Sequence, residues 1–258
     1  MPNVEIWLAH LQELEGPLEQ IAVKHRLLTD DEAKEFSDTE KTSRQRMRRI
    51  ARMVLRLLLT RFFGPTAAQK KFEIGPHGRP TIFGLEGDFN LAHAGGYALV
   101  ALGTVSPLGV DLETAREVRI SATRRSALIA AAEKISQGSL LPEFENARSL
   151  QAWTRLEALA KAEGHGIGRL LGRYGVWGGS KAQNEIAHEK KISLLVHDLI
   201  LGVDNLHAAA CLPNGVLVPQ VSSLMGKSDR LLDILLRKPI VSFQSGVDQR
   251  RPARQKVN

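Results

Sequence analysis

Two short acidic segments constrain the fold more than any other feature of this chain. The first, Gly109–Glu113, reads Gly-Val-Asp-Leu-Glu. Successive side chains of a strand point to opposite faces, so Asp111 and Glu113 share one face. The second segment, residues 153–164, reads Trp-Thr-Arg-Leu-Glu-Ala-Leu-Ala-Lys-Ala-Glu-Gly. In a helix, side chains four positions apart form one stripe, which places Glu157 next to Lys161. The sequence therefore predicts a strand with two carboxylates on one face and a helix with a third.

Three carboxylates on two elements suit a hard divalent cation. Mg²⁺ prefers oxygen ligands in octahedral geometry, and proteins usually hold it through one or two carboxylates, water and substrate phosphates. We therefore expect Asp111, Glu113 and Glu157 to bind Mg²⁺, with Lys161 beside them to meet a phosphate. Any one of these acids alone would more often be an ordinary surface residue.

The clearest helix spans residues 42–63. Apolar residues recur every three or four positions and predict one buried stripe: Met47, Ile50, Ala51, Val54, Leu58 and Phe62. Arginines occupy much of the remaining surface, and no acidic residue lies between Lys41 and Lys71. Such a surface is either a solvated basic face or an anion-binding site.

Composition and charge narrow the class of protein. The single cysteine, Cys211, excludes an internal disulfide and fits a reducing compartment. No apolar run approaches the roughly 20 residues of a membrane span, and the first residues are too acidic for a signal peptide. Eight basic and three acidic residues from Lys227 onward give +5 of the formal charge of +7, so the excess lies in the tail. We expect a cytoplasmic protein that does not enter membranes.

The two acidic segments together resemble the signature pair of the Sfp-type 4′-phosphopantetheinyl transferases. The resemblance implies an α+β fold made of a pseudo-twofold pair of α/β subdomains, expected at residues 1–106 and 107–219, with a basic, partly disordered tail at 220–258. It also implies a monomer that transfers 4′-phosphopantetheine from coenzyme A to a serine of an acyl or peptidyl carrier protein, releasing 3′,5′-ADP. Mg²⁺ would be the cofactor, and Glu157 and Lys161 the catalytic residues.

The same resemblance assigns the coenzyme A contacts. Counting along the arginine helix gives Arg46 for the 3′-phosphate, together with Lys34 upstream. The turn Gly78-Arg79-Pro80 matches a Gly-Lys-Pro whose basic residue contacts the nucleotide. Residues 89–95, Phe-Asn-Leu-Ala-His-Ala-Gly, resemble Phe-Asn-Ile-Ser-His-Ser-Gly, whose histidine, here His93, touches the phosphates. The pyrophosphate would lie on Mg²⁺ and Lys161.

Several departures from the family pattern keep two alternatives open. Ala92 and Ala94 replace serines, and Leu156 stands where lysine usually precedes the glutamate. Residues 114–136, which help dock the carrier protein in the family, contain no aromatic residue. The first alternative is therefore a degenerate relative that binds coenzyme A or a carrier without turnover. The second is a nucleic-acid-binding protein that uses the arginine helix and tail, which would leave the carboxylates without a role.

Local patterns predict further elements. Thr29 and Glu32 have the spacing of a capping box that begins a short helix, and Ser149 suits the N-cap of the acidic helix. Remaining expectations are a first strand at residues 4–9, closing strands at 191–197 and 206–212, and a short amphipathic helix at 230–236.

Overall fold

The computed structural model describes residues 3–39, 42–136, 142, 144–177, 193–224 and 228–241. Its elements, in chain order, are β1 (Val4–His10), α1 (Leu11–His25), α2 (Asp30–Thr39), α3 (Ser43–Phe63), α4 (Pro65–Ala68), β2 (Glu73–Ile74), β3 (Pro80–Thr81), β4 (Asp88–Ala94), β5 (Tyr97–Gly103), β6 (Gly109–Thr114), α5 (Ala122–Ser136), α6 (Glu145–Glu163), α7 (Ile167–Arg173), β7 (Leu194–Asp198), β8 (Leu206–Pro213), β9 (Val221–Leu224) and α8 (Ser228–Leu236). The α+β class predicted from the sequence is confirmed.

The two halves of the chain repeat one topology. In the first half, β1 is followed by helices and then by the hairpin β4–β5, and the sheet order is β4-β5-β1. In the second half, β6 is followed by helices and then by β7 and β8, and the order is β7-β8-β6. All four of these strand pairs are antiparallel. The repeat makes α3 and α6, the long helices that precede each strand pair, equivalent elements.

The fold has four layers, with helices on the outer face of each of two packed sheets, and three apolar clusters lie between these layers. One cluster lies between α1, α3 and α8 and the outer face of the first sheet, a second between α5, α6 and α7 and the outer face of the second sheet, and a third between the sheets. Val110 and Leu112 of β6 belong to the cluster between the sheets. Because side chains alternate along a strand, Asp111 and Glu113 face the opposite side, toward α6.

Helix α3 begins and ends as the sequence predicts. Thr42 caps it by accepting a hydrogen bond from the backbone N–H of Gln45 at 3.2 Å. The capping box is also confirmed at the start of α2, where the Thr29 N–H donates to Glu32 at 3.1 Å and the Glu32 N–H donates to Thr29 at 3.3 Å. Glu32 then binds Arg56, which is 1% exposed. Arg56 is therefore a buried structural residue and does not belong to a solvent-facing basic surface.

The segment beyond residue 219 returns to the first half. Strand β9 pairs in parallel with β1, and Leu231 and Ile234 of α8 are buried in the cluster that contains α3. The Val241 N–H donates to the Phe62 carbonyl at 2.8 Å. The sequence grouped residues 220–258 as a tail, whereas residues 221–241, where described, complete the first sheet and its helical layer. Residues 242–258 lie outside the described residues.

Two local expectations differ from the structure. Helix α6 begins at Glu145, four residues before the predicted cap, and Ser149 is not a cap since its hydroxyl donates to the Glu145 carbonyl inside the helix. Helix α1 was not predicted, and it carries Pro17, a residue that disfavours helices, in its interior. None of the helices in the described ranges has the length and apolar character needed to cross a bilayer.

Candidate active site

Glycine at position 109 lets α6 lie directly on β6. A Cβ at this position would be 2.0 Å from the Ala158 carbonyl oxygen and 2.6 Å from the Ala162 nitrogen, closer than real atoms approach. Asp111 is on the same face of the strand as Gly109. The glycine that opens the acidic segment therefore sets the helix–strand spacing that brings Asp111 to the last turns of α6.

Asp111 and Lys161 form the centre of the site. The Lys161 Nζ donates to Asp111 Oδ1 at 2.7 Å, and the carboxylate is 9% exposed. Asp111 Oδ2 is buried and has no hydrogen-bond partner among the described residues. Burial raises the pKa of Asp111, and the neighbouring Lys161 opposes that rise. Because a buried carboxylate oxygen without a partner is costly, Oδ2 marks a position that favours a cation or a donor.

Glu157 shares this electrostatic environment. Burial raises the pKa of Glu157 to about 7, the charges of Asp111 and Glu113 raise it as well, and Lys161 opposes them. Glu113 also accepts hydrogen bonds from Arg116 at 3.3 Å. The three carboxylates therefore repel one another across the gap between β6 and α6.

The carboxylates do not form a closed ring of ligands. Within the described ranges, no three His, Cys, Asp or Glu side chains are arranged so that together they could hold a metal ion. The partial set nevertheless fits Mg²⁺, because Mg²⁺ commonly takes only one or two protein carboxylates and completes its shell with water and phosphate. The buried oxygen of Asp111 without a partner among the described residues and the mutual repulsion of the carboxylates are both features that a bound cation would relieve. The assignment of Asp111, Glu113 and Glu157 as ligands stays a prediction.

His93, in the first half of the chain, lies at the seam where the two halves meet beside Asp111 and Lys161. It lies on β4, whose hairpin packs against β6: a Cβ at Gly95 would be 2.1 Å from Thr114 Cγ2, and Gly95 has φ +55°. Although His93 is exposed, partial desolvation of its ring lowers its pKa, and the charges of Arg48, Lys161 and Arg44 lower it further. A neutral imidazole among three cations is an environment that favours an anion.

Arg44 and Arg48 were missed by the sequence analysis. They lie four residues apart on the first turns of α3, so they share a stripe, and both act on His93. Arg46, the predicted ligand of the 3′-phosphate, forms an ion pair with Glu15 instead. Lys34 is exposed on α2. The four-residue spacing could have identified the pair, whereas counting turns from Arg56 selected a different face. The roles of Arg46 and Lys34 stay predictions.

Arg79 forms hydrogen bonds with other parts of the chain. Its guanidinium donates to the carbonyls of Lys161, Ala162 and Leu108 and to the carboxylate of Asp88. The side chain is 14% exposed. Its predicted contact with the nucleotide stays a prediction, and the contacts that the structure gives it are considered below.

A groove of about 380 Å³ lies between α5, α6 and the segment that follows β6. Its floor includes Leu128, Leu150 and Trp153, and its rim includes Arg124 and the ion pair of Arg119 with Glu117. Arg116, which binds Glu113, also lines it, so the groove begins at the carboxylates. The segment at 114–136 has no aromatic residue of its own, but α6 supplies one to the groove from another part of the chain.

The residues that depart from the family pattern are next to site residues in sequence, but their side chains pack in the apolar clusters. Leu156 is fully buried in the cluster behind the second sheet. Ala92 is buried between the two sheets, on the face of β4 opposite His93, and Ala94 packs against the same cluster. These three residues therefore serve as packing residues in this chain.

A duplicated α+β fold whose seam holds carboxylates, a lysine, a histidine and arginines is the architecture expected for this class of transferase. The chain belongs to the 4′-phosphopantetheinyl transferase family. It is 30% identical over 170 residues to slr0495 of Synechocystis sp., which is named as a candidate 4′-phosphopantetheinyl transferase; the match covers 65% of this chain and 67% of that protein. It is 28% identical over 183 residues to the 4′-phosphopantetheinyl transferase HetI of Nostoc sp., covering 65% and 71%. No family model matches the chain.

Proposed function

We propose that this protein transfers 4′-phosphopantetheine from coenzyme A to a serine of an acyl or peptidyl carrier protein. The single observation that carries the proposal is the pairing of Lys161 with Asp111, beside a carboxyl group, Glu157, whose pKa is about 7. In the proposed reaction the serine oxygen bonds to the β-phosphorus of coenzyme A, the bond to the bridging oxygen breaks, and 3′,5′-ADP leaves.

Glu157 suits the role of proton acceptor. A group with a pKa near the working pH is partly ionised and can accept the proton that the serine loses. Lys161 would bind the pyrophosphate, since its ammonium already lies at the seam and is 28% exposed. Arg44 and Arg48, beside the neutral imidazole of His93, form a second positive region next to it, suited to the other phosphates of coenzyme A.

The metal would be held by Asp111 and Glu113, with Glu157 as a third ligand or, when it does not bind the metal, as the proton acceptor. When bound there, Mg²⁺ supplies neutralisation of the charge on the phosphates, which is the usual contribution of a metal to phosphoryl-type transfer. The residues of the chain meanwhile orient the pyrophosphate and accept the serine proton.

The groove beside the carboxylates suits a carrier protein. An apolar floor at Trp153 offers area for burial, and the arginines of its rim would attract an acidic helix. A carrier seated there would present its serine next to Glu113 and Glu157. Exchange of Arg119 and Arg124 for glutamine should raise KM for the carrier and weaken its dependence on salt, while KM for coenzyme A stays unchanged.

The decisive experiment is incubation of the protein with coenzyme A, Mg²⁺ and an apo carrier protein, followed by mass spectrometry of the carrier. We expect a mass increase of one phosphopantetheine, and none when the carrier serine is replaced by alanine. Tight binding of coenzyme A without any mass increase, across carriers of different type, would instead support a degenerate relative. Salt-sensitive retention of nucleic acid with no metal requirement would support the nucleic-acid alternative.

One pair of variants distinguishes Arg48 from Arg46 as the ligand of the 3′-phosphate. Arg48→Ala should raise KM for coenzyme A but have little effect when dephospho-coenzyme A is supplied, because the missing 3′-phosphate removes the contact. Arg46→Ala is the matched variant, since it removes the same side chain two residues away. If only Arg46→Ala shows this selective effect, Arg46 is the ligand and the structural assignment to Arg48 is wrong.

A further inference from the structure

Arg79 joins four separate parts of the chain. Its Nη2 donates to the Asp88 carboxylate at 2.5 Å and to the Leu108 carbonyl at 3.0 Å, at the starts of β4 and β6. Its Nη1 donates to the Ala162 carbonyl at 3.0 Å and to the Lys161 carbonyl. Asp88 in turn accepts the Leu108 N–H at 2.8 Å. The guanidinium therefore links the two halves of the molecule at the end of α6.

The contacts on α6 involve carbonyls of its last turn, of which the Lys161 carbonyl also accepts the Gly164 N–H at 3.2 Å. The last four carbonyls of an α-helix have no partner inside it, and a cation near them interacts favourably with the helix dipole. Arg79 supplies both a donor and a positive charge at Lys161 and Ala162. The turn that carries it also packs closely on the loop after the helix: a Cβ at Gly166 would be 3.3 Å from His77 Nδ1.

One of the two carbonyls belongs to the lysine of the site. The backbone of Lys161 is held by Arg79, and its side chain extends to Asp111 at 2.7 Å. We propose that Arg79 is a positioning residue, which fixes the end of α6 so that Lys161 meets Asp111 and the phosphate, and that it does not itself contact the nucleotide. This inference rests on the proposed function for its kinetic consequences only.

The fork of the guanidinium is essential to this role. Both terminal nitrogens are occupied, Nη1 by two carbonyls of α6 and Nη2 by Asp88 and Leu108, and a lysine ammonium lacks that planar geometry. Arg79→Lys keeps the charge that a nucleotide contact would need but loses the fork. The two roles therefore predict opposite results for one conservative substitution.

The kinetic test is a double-mutant cycle. If Arg79 positions Lys161, Arg79→Lys should lower kcat by about tenfold or more, as small misplacements at a reacting centre do, while KM for coenzyme A changes less than about threefold. In a Lys161→Gln background, Arg79→Lys should have almost no further effect, because residues that act as one unit are not additive. Arg26→Lys, at an exposed ion pair with Asp30, is the matched control and should change neither constant.

Additive losses in kcat, or a raised KM for coenzyme A in Arg79→Lys with kcat intact, would overturn the proposal. Hydrogen exchange gives a readout that needs no activity: the amides of residues 160–165 should exchange about tenfold faster or more in Arg79→Lys than in the wild type or in Arg26→Lys. Unchanged exchange there would also overturn it.

A wild type that transfers nothing would refute the proposed function instead, and the exchange result would still decide the role of Arg79. If Arg79→Lys does not fold, the second variant is Asp88→Asn, whose single amide oxygen cannot accept from Arg79, Leu108 and Phe89 together, and it should show the same faster exchange.

Discussion

Replacement of Glu157 by glutamine should stabilise the folded protein at neutral pH while it removes transfer. Burial and the charge of Asp111 raise the pKa of Glu157 from 4.5 to about 7. A group whose pKa is higher in the folded state binds its proton more tightly there, so its stabilising effect is present below pH 4.5 and is lost as the pH rises through 7. Glutamine resembles the protonated acid and keeps that stabilisation at all pH values.

The magnitude follows from the size of the pKa change. At about 1.4 kcal/mol for each pH unit, the rise from 4.5 to about 7 sets an upper bound of roughly 3 kcal/mol on the effect. The side chain is only partly buried, and screening by solvent reduces the expected gain to about 1–2 kcal/mol. At pH 4 the gain should disappear, because the wild-type carboxyl is then protonated in both states.

Urea unfolding of Glu157→Gln and the wild type at pH 8 and pH 4, with EDTA present to remove divalent cations, measures the difference in free energy of unfolding. Glu133→Gln, at an exposed position on α5, is the control and should change stability by less than about 0.5 kcal/mol at either pH. A Glu157→Gln variant that is no more stable than the wild type at pH 8, or equally stabilised at both pH values, would refute the assignment of a raised pKa.

Further predictions concern the site and its framework. Asp111→Ala should lose most transfer while circular dichroism remains native; undiminished modification of a carrier protein would remove Asp111 from the site. Gly109→Ala should lower the free energy of unfolding by about 1–3 kcal/mol in thermal or urea unfolding, because the added methyl meets the Ala158 backbone; an unchanged midpoint would show that α6 does not lie on β6 as described. Removal of residues 220–258 should destabilise the first half, since β9 and α8 are lost from it; an unchanged urea midpoint would mean that this segment adds no stability.

The sequence alone determined the local elements that depend on periodicity and capping. The helix at 42–63, the capping box at Thr29 and the acidic strand all follow from contacts between residues a few positions apart. Alternation along β6 was also sufficient to predict that Asp111 and Glu113 share a face, because that relation needs no knowledge of the partner. The resemblance to the family rests on these same segments, and family membership is confirmed by the relatives.

Only the tertiary structure decided which charges serve the site and which serve the fold. Arg46, Arg48, Arg56 and Arg79 are alike in sequence, yet one pairs with Glu15, one acts on His93, one is buried on Glu32 and one holds the end of α6. These differences arise from partners 24 to 83 residues away, a separation over which local pattern carries no information. The course of residues 221–241 is of the same kind, because pairing with β1 depends on an edge that exists only after the first sheet has formed.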